Sequence, residues 1–136
     1  MDFAAINYIA VVVAAVASFA FGSLYYMAVA KPWRSAIGKT EAEVKQSMTP
    51  MPFVVAGVAQ LVMAYVLAAV VAALGAVTPE TGVYAGFTMW FGFVLTSMAA
   101  NHGFQGARRG LTVIDGIHWL AVLLLQGLVI GLFGAR

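Results

Sequence analysis

The chain has 136 residues, of which 63% are hydrophobic and 9% are charged, with seven Lys or Arg residues against five acids. A soluble domain carries roughly 25% charged residues, so this composition excludes a water-soluble globular protein and predicts a membrane protein. The absence of cysteine excludes disulfides, thiolate catalysis and cysteine-type metal sites.

The first of four long apolar segments predicts a transmembrane helix over about residues 3–30, because it exceeds the roughly 20 residues that cross the hydrocarbon as a helix. The helix is expected to end at Lys31 and Pro32, since proline disfavours helical geometry in the residue before it. The following loop, residues 31–49, carries charges of both signs. Its sequence permits a short surface helix from Thr40 to Met48.

Three further membrane-spanning helices are predicted over about residues 51–74, 83–102 and 113–133. The connection between the second and third helices is short, which predicts that they are antiparallel neighbours. The fourth helix is expected to open near Thr112, where the sequence T-V-I-D resembles a capping box with Asp115 in the glutamate position. The predicted fold is a single domain, residues 1–136, built as an all-α, four-transmembrane-helix bundle.

Basic residues are concentrated in two of the predicted loops, and only Arg136 lies on the other side of the membrane. The loop cations are Lys31, Arg34, Lys39, Lys45, Arg108 and Arg109. The positive-inside rule therefore predicts that both basic loops are cytoplasmic and that both termini are on the non-cytoplasmic side. Because membrane insertion accounts for this charge pattern, nucleic acid is not an expected partner.

Small residues are the expected packing positions, because helices in a bilayer associate through close backbone approach rather than through hydrophobic burial. The positions that the pattern selects are Ala10, Ala14, Ser18 and Gly22 in the first helix, Gly92 in the third, and Gly127 and Gly131 in the fourth. Gly127 and Gly131 form a GxxxG pair. Packing of this glycine face inside the bundle is the favoured interpretation, and a homodimer through the same face is the alternative.

Seven polar side chains are predicted to gather near the cytoplasmic ends of the helices. They are Tyr25, Tyr26, Asn101, His102, Gln105, Asp115 and His118. The spacing of Asp115 and His118, three residues apart, places both on one side of a helix. Ionisable groups in a membrane span are costly and usually face the protein interior or a water-filled cavity, so this cluster is the candidate site.

Four interpretations of the cluster remain open. The structural one is favoured: Asp115 caps its own helix, and the histidines lie at the wet interface. An anionic lipid headgroup is the next, with Lys31, Arg34, Arg108 and Arg109 as its binding candidates. A small proton-coupled transporter or channel using Asp115 and His118 follows. A haem held between His102 and His118 comes last, and no metal or cofactor is expected.

The sequence contains four further features: Asn7 early in the first helix, F-A-F-G-S-L-Y-Y over residues 19–26, Trp33, and W-F-G-F over residues 90–93. Together they resemble the DUF1761 family of small bacterial membrane proteins. The family's usual G-x-x-W-Y is present here as Gly22-Ser-Leu-Tyr25-Tyr26. The resemblance implies a four-span membrane protein of bacterial type, and it assigns no catalytic residue.

The sequence therefore predicts a multi-pass protein of the bacterial cytoplasmic membrane with a structural, interaction or lipid-binding role. Its expected partners are membrane lipids and either a second copy of the chain, with a dimer favoured, or a larger membrane complex. An enzyme is not expected, because no nucleophile and base pair and no metal-ligand set occur at suitable spacing.

Overall fold

The computed structural model describes residues 5–136. Its helices are α1 (Tyr8–Ala28), α2 (Ala30–Ile37), α3 (Glu41–Ser47), α4 (Met51–Ala73), α5 (Pro79–Met89), α6 (Thr96–Phe104) and α7 (Arg109–Phe133), and a π-helical segment (Trp90–Leu95) joins α5 to α6. Four helices are long and apolar enough to cross a membrane. The first span is α1, the second is α4, the third is the continuous helix Pro79–Phe104, and the fourth is α7. No strand occurs within residues 5–136, which confirms the all-α, four-span prediction.

The first span differs from its prediction at both ends. The predicted start at Phe3 lies outside the described residues, and the helix begins at Tyr8 because the Asn7 side chain caps it, accepting from the Ala10 amide at 3.2 Å. The break comes at Val29 rather than at Lys31 and Pro32. Proline is tolerated there because it lies in the first turn of α2, where its missing N–H has no helical partner.

The loop between the first and second spans is mostly helical. The permitted surface helix is confirmed as α3, with Thr40 and Glu43 forming a reciprocal capping box. The preceding helix, α2, was not predicted. It ends at Gly38, whose φ of 71° is the left-handed conformation that glycine adopts most readily.

The third and fourth spans begin earlier than predicted. Thr78 caps the third span with its side chain and Pro79 occupies the first turn, so the helix starts four residues before Val83. The fourth span starts at Arg109, and Thr112 is therefore inside its first turn. The predicted capping box at Thr112 and Asp115 is wrong, because both residues are part of the helix and their side chains bond to other helices.

Small residues line the interior of the bundle, and large apolar residues face outward. Ala10, Ala14, Ser18 and Gly22 are all buried, as predicted for one packing stripe of the first span. Exposed side chains on the same span include Ile9, Val16 and Leu24. This inverted arrangement is the one that a lipid solvent favours, because apolar side chains gain nothing by leaving it.

The fourth span packs against both the first and the third spans. On the third-span side, backbone meets backbone: a Cβ on Gly82 would overlap the carbonyl of Gly127, and a Cβ on Gly131 would overlap that of Thr78. The GxxxG face of the fourth span is thus occupied within the chain, as the favoured interpretation stated. A dimer through this face would require the third and fourth spans to separate.

Gly92 is not a packing position between the spans of one chain, contrary to its prediction. It lies in the π-helical segment and is exposed, and a Cβ there would meet nothing within 4 Å. The third span instead approaches the fourth through Gly82 and Gly86. The spacing rule selected the wrong face of the helix because Thr88, Gly92 and Thr96 repeat every four residues as regularly as the true contact does.

The two basic loops meet at one end of the bundle, where the Arg108 guanidinium donates to the carbonyl of Ser35. At the opposite end the Arg136 amide donates to the Ala5 carbonyl at 3.4 Å, so the described ends of the chain are close together. The structure therefore brings the two basic loops to a common face, as the predicted topology requires.

Candidate functional site

The first and fourth spans hold four of the predicted polar residues against one another. Tyr26 donates from its hydroxyl to Asp115 Oδ1 at 2.8 Å, and Tyr25 donates to the Ile114 carbonyl at 2.8 Å. Both tyrosine rings also contact the His118 ring, with centroids 4.8 Å away for Tyr26 and 5.7 Å for Tyr25. The adjacent tyrosines thus fix the position of the fourth span relative to the first.

His118 is buried, with 5% of its surface exposed. Trp119 lies against its ring at a centroid distance of 4.8 Å, nearly at right angles. Nε2 of His118 lies so close to Gly22 that a Cβ on Gly22 would be 2.7 Å from it. Gly22 is therefore required for the fit of the imidazole, and Nδ1 of His118 has no hydrogen-bond partner within residues 5–136. The structural interpretation placed the histidines at the wet interface, but His118 is buried.

A second polar group is buried deeper in the bundle, among the first, second and fourth spans. Ser18 donates to Gln60 Oε1 at 2.6 Å, and Gln126 Nε2 donates to Ser18 Oγ at 2.9 Å and to the Gln60 carbonyl at 3.0 Å. Sequence reasoning placed Ser18 only in the packing stripe. Its hydroxyl joins three spans because the small residues around it bring their backbones close.

A cleft of about 740 Å³ opens between the first, second and fourth spans and the helices α2 and α3. Apolar side chains such as Phe19, Met27 and Phe53 form much of its wall. Its polar lining falls into two groups: Arg34, Glu41 and Lys45 belong to α2 and α3, whereas Tyr26, Gln60, Asp115 and His118 belong to the spans. The volume is in the range of natural small-molecule pockets.

The other predicted polar residues line a separate, more open groove of about 650 Å³ among the second, third and fourth spans. Asn101, His102 and Gln105 all border it. His102 bonds through Nδ1 to Thr112 Oγ1 at 2.9 Å. Asp115 and Trp119 line both spaces. The single cluster that was predicted is thus divided in two, with Asp115 at the boundary.

This division bears on the predicted haem ligands. His102 and His118 border different cavities, so they do not form one axial pair for a haem. The four basic side chains predicted to bind an anionic headgroup differ in their contacts. Arg34 lies 3.7 Å from Glu41, and Arg108 donates to the Ser35 carbonyl. Lys31, Arg108 and Arg109 are exposed.

The charges of the cleft are distributed unevenly. Glu41 pairs with Lys45 at 2.8 Å as well as with Arg34, and the Lys45 hydrogen bond, together with both positive charges, lowers the pKa of Glu41. Asp115 has no such partner: within residues 5–136 no Lys or Arg side chain lies within 4.0 Å of its carboxylate. The cleft therefore also carries a carboxylate with no Lys or Arg partner among the described residues, which accepts a hydrogen bond from the Tyr26 hydroxyl.

The fold and the site define a small four-span helical membrane protein. The cleft between its spans has a largely apolar wall that carries polar and aromatic side chains. Comparison with family models identifies it further: the model described as "Protein of unknown function (DUF1761)" matches residues 9–131. The chain belongs to the DUF1761 family, which confirms the resemblance seen in its motifs. Searches of curated proteins and of solved structures found no match.

Proposed function

We propose that this protein binds a membrane amphiphile of lipid type in the cleft between its first, second and fourth spans, and that it acts as a binding protein rather than an enzyme. The observation that carries the proposal is the cleft itself. It combines a largely apolar wall with polar groups at two separate levels. A molecule with an apolar body and a polar group matches that distribution, whereas a fully polar solute does not.

Ligand retention tests this proposal. Ala56 lines the cleft, and Ala56→Trp fills part of it with an indole, so we expect the variant to lose the lipid that the wild-type protein retains. The measurement is native mass spectrometry of protein released from uncharged detergent, which resolves bound lipid by mass. Ala100→Trp is the matched control, because Ala100 is exposed on the third span and does not line the cleft. Equal retention by wild type and Ala56→Trp would contradict the proposal.

A small proton-coupled transporter or channel that uses Asp115 and His118 is the second candidate function. The observation that favours it is the position of Asp115, which lines both the cleft and the groove on the other side of the fourth span. A carboxylate that borders two cavities can take up a proton from one cavity and release it to the other. Movement of the helices is needed for such exchange, and the binding function needs none.

We also propose that the protein self-associates as a dimer. Because the glycine face of the fourth span is occupied, the surface that we assign to the dimer is the outward face of the third span, with Thr88, Gly92 and Thr96. Small residues and hydroxyls on a membrane helix favour close approach of a second helix. The third span is also the least buried of the four, because 11% of the residues in its 18-residue apolar stretch are buried.

The location that we propose is the bacterial cytoplasmic membrane, with the basic end of the bundle in the cytoplasm. The chain has no cysteine, so single introduced cysteines report topology without background. We expect Ser35→Cys and Gln105→Cys to resist a membrane-impermeant maleimide in intact cells and to react after permeabilisation. Ala76→Cys, in the link between the second and third spans, should react in intact cells. Labelling of Ser35→Cys and Gln105→Cys from opposite sides would contradict the orientation.

A further inference from the structure

Asp115 is an acid within a membrane span, and among residues 5–136 no Lys or Arg side chain lies within 4.0 Å of its carboxylate. Its carboxylate accepts the Tyr26 hydroxyl at 2.8 Å, and the ion pairs of the described residues all involve Glu41. Ionisable groups in membrane spans are costly and mark functional sites by default. Either a proton or a cationic ligand can neutralise such a group. Of the two, only a ligand would also fill the cleft that Asp115 lines.

The side chains around this carboxylate are suited to a cation. Tyr26, Trp33 and Trp119 line the same cleft as Asp115. Tyr26 and Trp33 meet at a steep angle of 73° with centroids 6.1 Å apart, so they present ring surfaces in two directions. Aromatic faces attract organic cations through the ring quadrupole, most strongly in the case of tryptophan. Cages of aromatic rings are a recognised arrangement for binding quaternary ammonium groups.

The charged residues of α2 and α3 that line the cleft are paired with one another. Arg34 and Lys45 are already paired with Glu41, so neither is committed to Asp115. His118 also borders the cleft. An acyl chain placed beside Asp115 would leave its carboxylate without a compensating charge, which is costly for an ionisable group in a membrane span.

We infer that the ligand of the cleft is an amphiphilic organic cation, with its ammonium group beside Asp115, Tyr26 and Trp119 and its apolar body along Phe19 and Phe53. This inference rests on the proposed function, because it names the class of molecule that the cleft binds. An anionic amphiphile is disfavoured, since its charge would be placed beside an unpaired carboxylate or compete with Glu41 for the two basic residues.

Binding of a defined probe tests the inference. Purified protein in uncharged maltoside detergent is immobilised, and binding of radiolabelled dodecyltrimethylammonium is measured by scintillation proximity. We expect saturable binding that excess unlabelled probe displaces and that dodecanol, its neutral counterpart of equal chain length, does not. Asp115→Asn should weaken binding roughly tenfold or more, because it removes the charge and keeps an acceptor for Tyr26. Asp115→Glu should retain binding.

Two further variants separate the ligand class from the cleft. Glu80→Gln removes an exposed acid at the start of the third span and should bind the probe like wild type. Ala56→Trp should abolish binding. If dodecanol displaces the probe as well as the ammonium does, and Asp115→Asn binds like wild type while Ala56→Trp does not bind, the cationic class is wrong and the cleft function stands. If Ala56→Trp binds like wild type, both proposals fail.

Discussion

Replacement of Gly82 or Gly127 by alanine is expected to destabilise the protein by about 1–3 kcal/mol or more, the size typical of overpacking in a well-packed interior. The added Cβ on either residue would overlap the backbone carbonyl of the other. A backbone group cannot rotate away as a side chain can, so the third and fourth spans must separate. The measurement is the free energy of unfolding in mixed detergent, followed by circular dichroism.

Gly92→Ala is the matched control for these variants. Gly92 belongs to the same third span, but a Cβ at this position meets nothing within 4 Å. In detergent that keeps the protein monomeric, we expect it to leave the free energy of unfolding unchanged or to raise it slightly, because alanine is favoured over glycine inside helices. Equal destabilisation by Gly82→Ala and Gly92→Ala would show that the close contact at Gly82 does not hold the spans together.

Gly22→Ala is expected to destabilise the interface between the first and fourth spans by about 1–3 kcal/mol, through a single named contact. The new Cβ would be 2.7 Å from Nε2 of His118, and the surrounding rings of Tyr25, Tyr26 and Trp119 limit how far the imidazole can move. In a His118→Ala background that clash is absent. The same glycine substitution should then cost little.

A double-mutant cycle of Gly22→Ala and His118→Ala measures this coupling directly. We expect an interaction energy of about 1 kcal/mol or more, the range found for residues in contact. Gly57→Ala in the second span is the control, because its Cβ would lie 3.9 Å from the Phe19 ring, an ordinary contact distance. Additive effects of Gly22→Ala and His118→Ala would mean that the imidazole does not occupy the space that Gly22 leaves.

The helix ends were predictable only where local chemistry decides them. The start of α3 follows from Thr40 and Glu43, which satisfy each other's backbone groups without help from other helices. The capping pattern at Thr112 and Asp115 looks similar, yet it fails. Their side chains bond to His102 and Tyr26, residues 10 and 89 positions away, and a local pattern contains no information about such partners.

The grouping of the candidate site residues was also predictable only in part. Tyr25, Tyr26, Asp115 and His118 were grouped correctly, because helical spacing and membrane depth follow from position along each span. His102 was grouped with them at the same depth but borders a different cavity. The membrane depth of a residue is set by its position along the helix. The cavity that its side chain borders depends on how the helix is rotated about its axis.

The sequence by itself determined the solvent and the number of spans, because long apolar segments have one stable environment and their backbone groups must bond within the segment. It also determined that small residues hold the spans together. In the third span, which small residues do so was decided by tertiary structure alone: Gly82 meets Gly127, while Gly92 faces outward. The rotation of each helix depends on contacts with its neighbours, and in a lipid solvent the apolar pattern does not distinguish an inner face from an outer one.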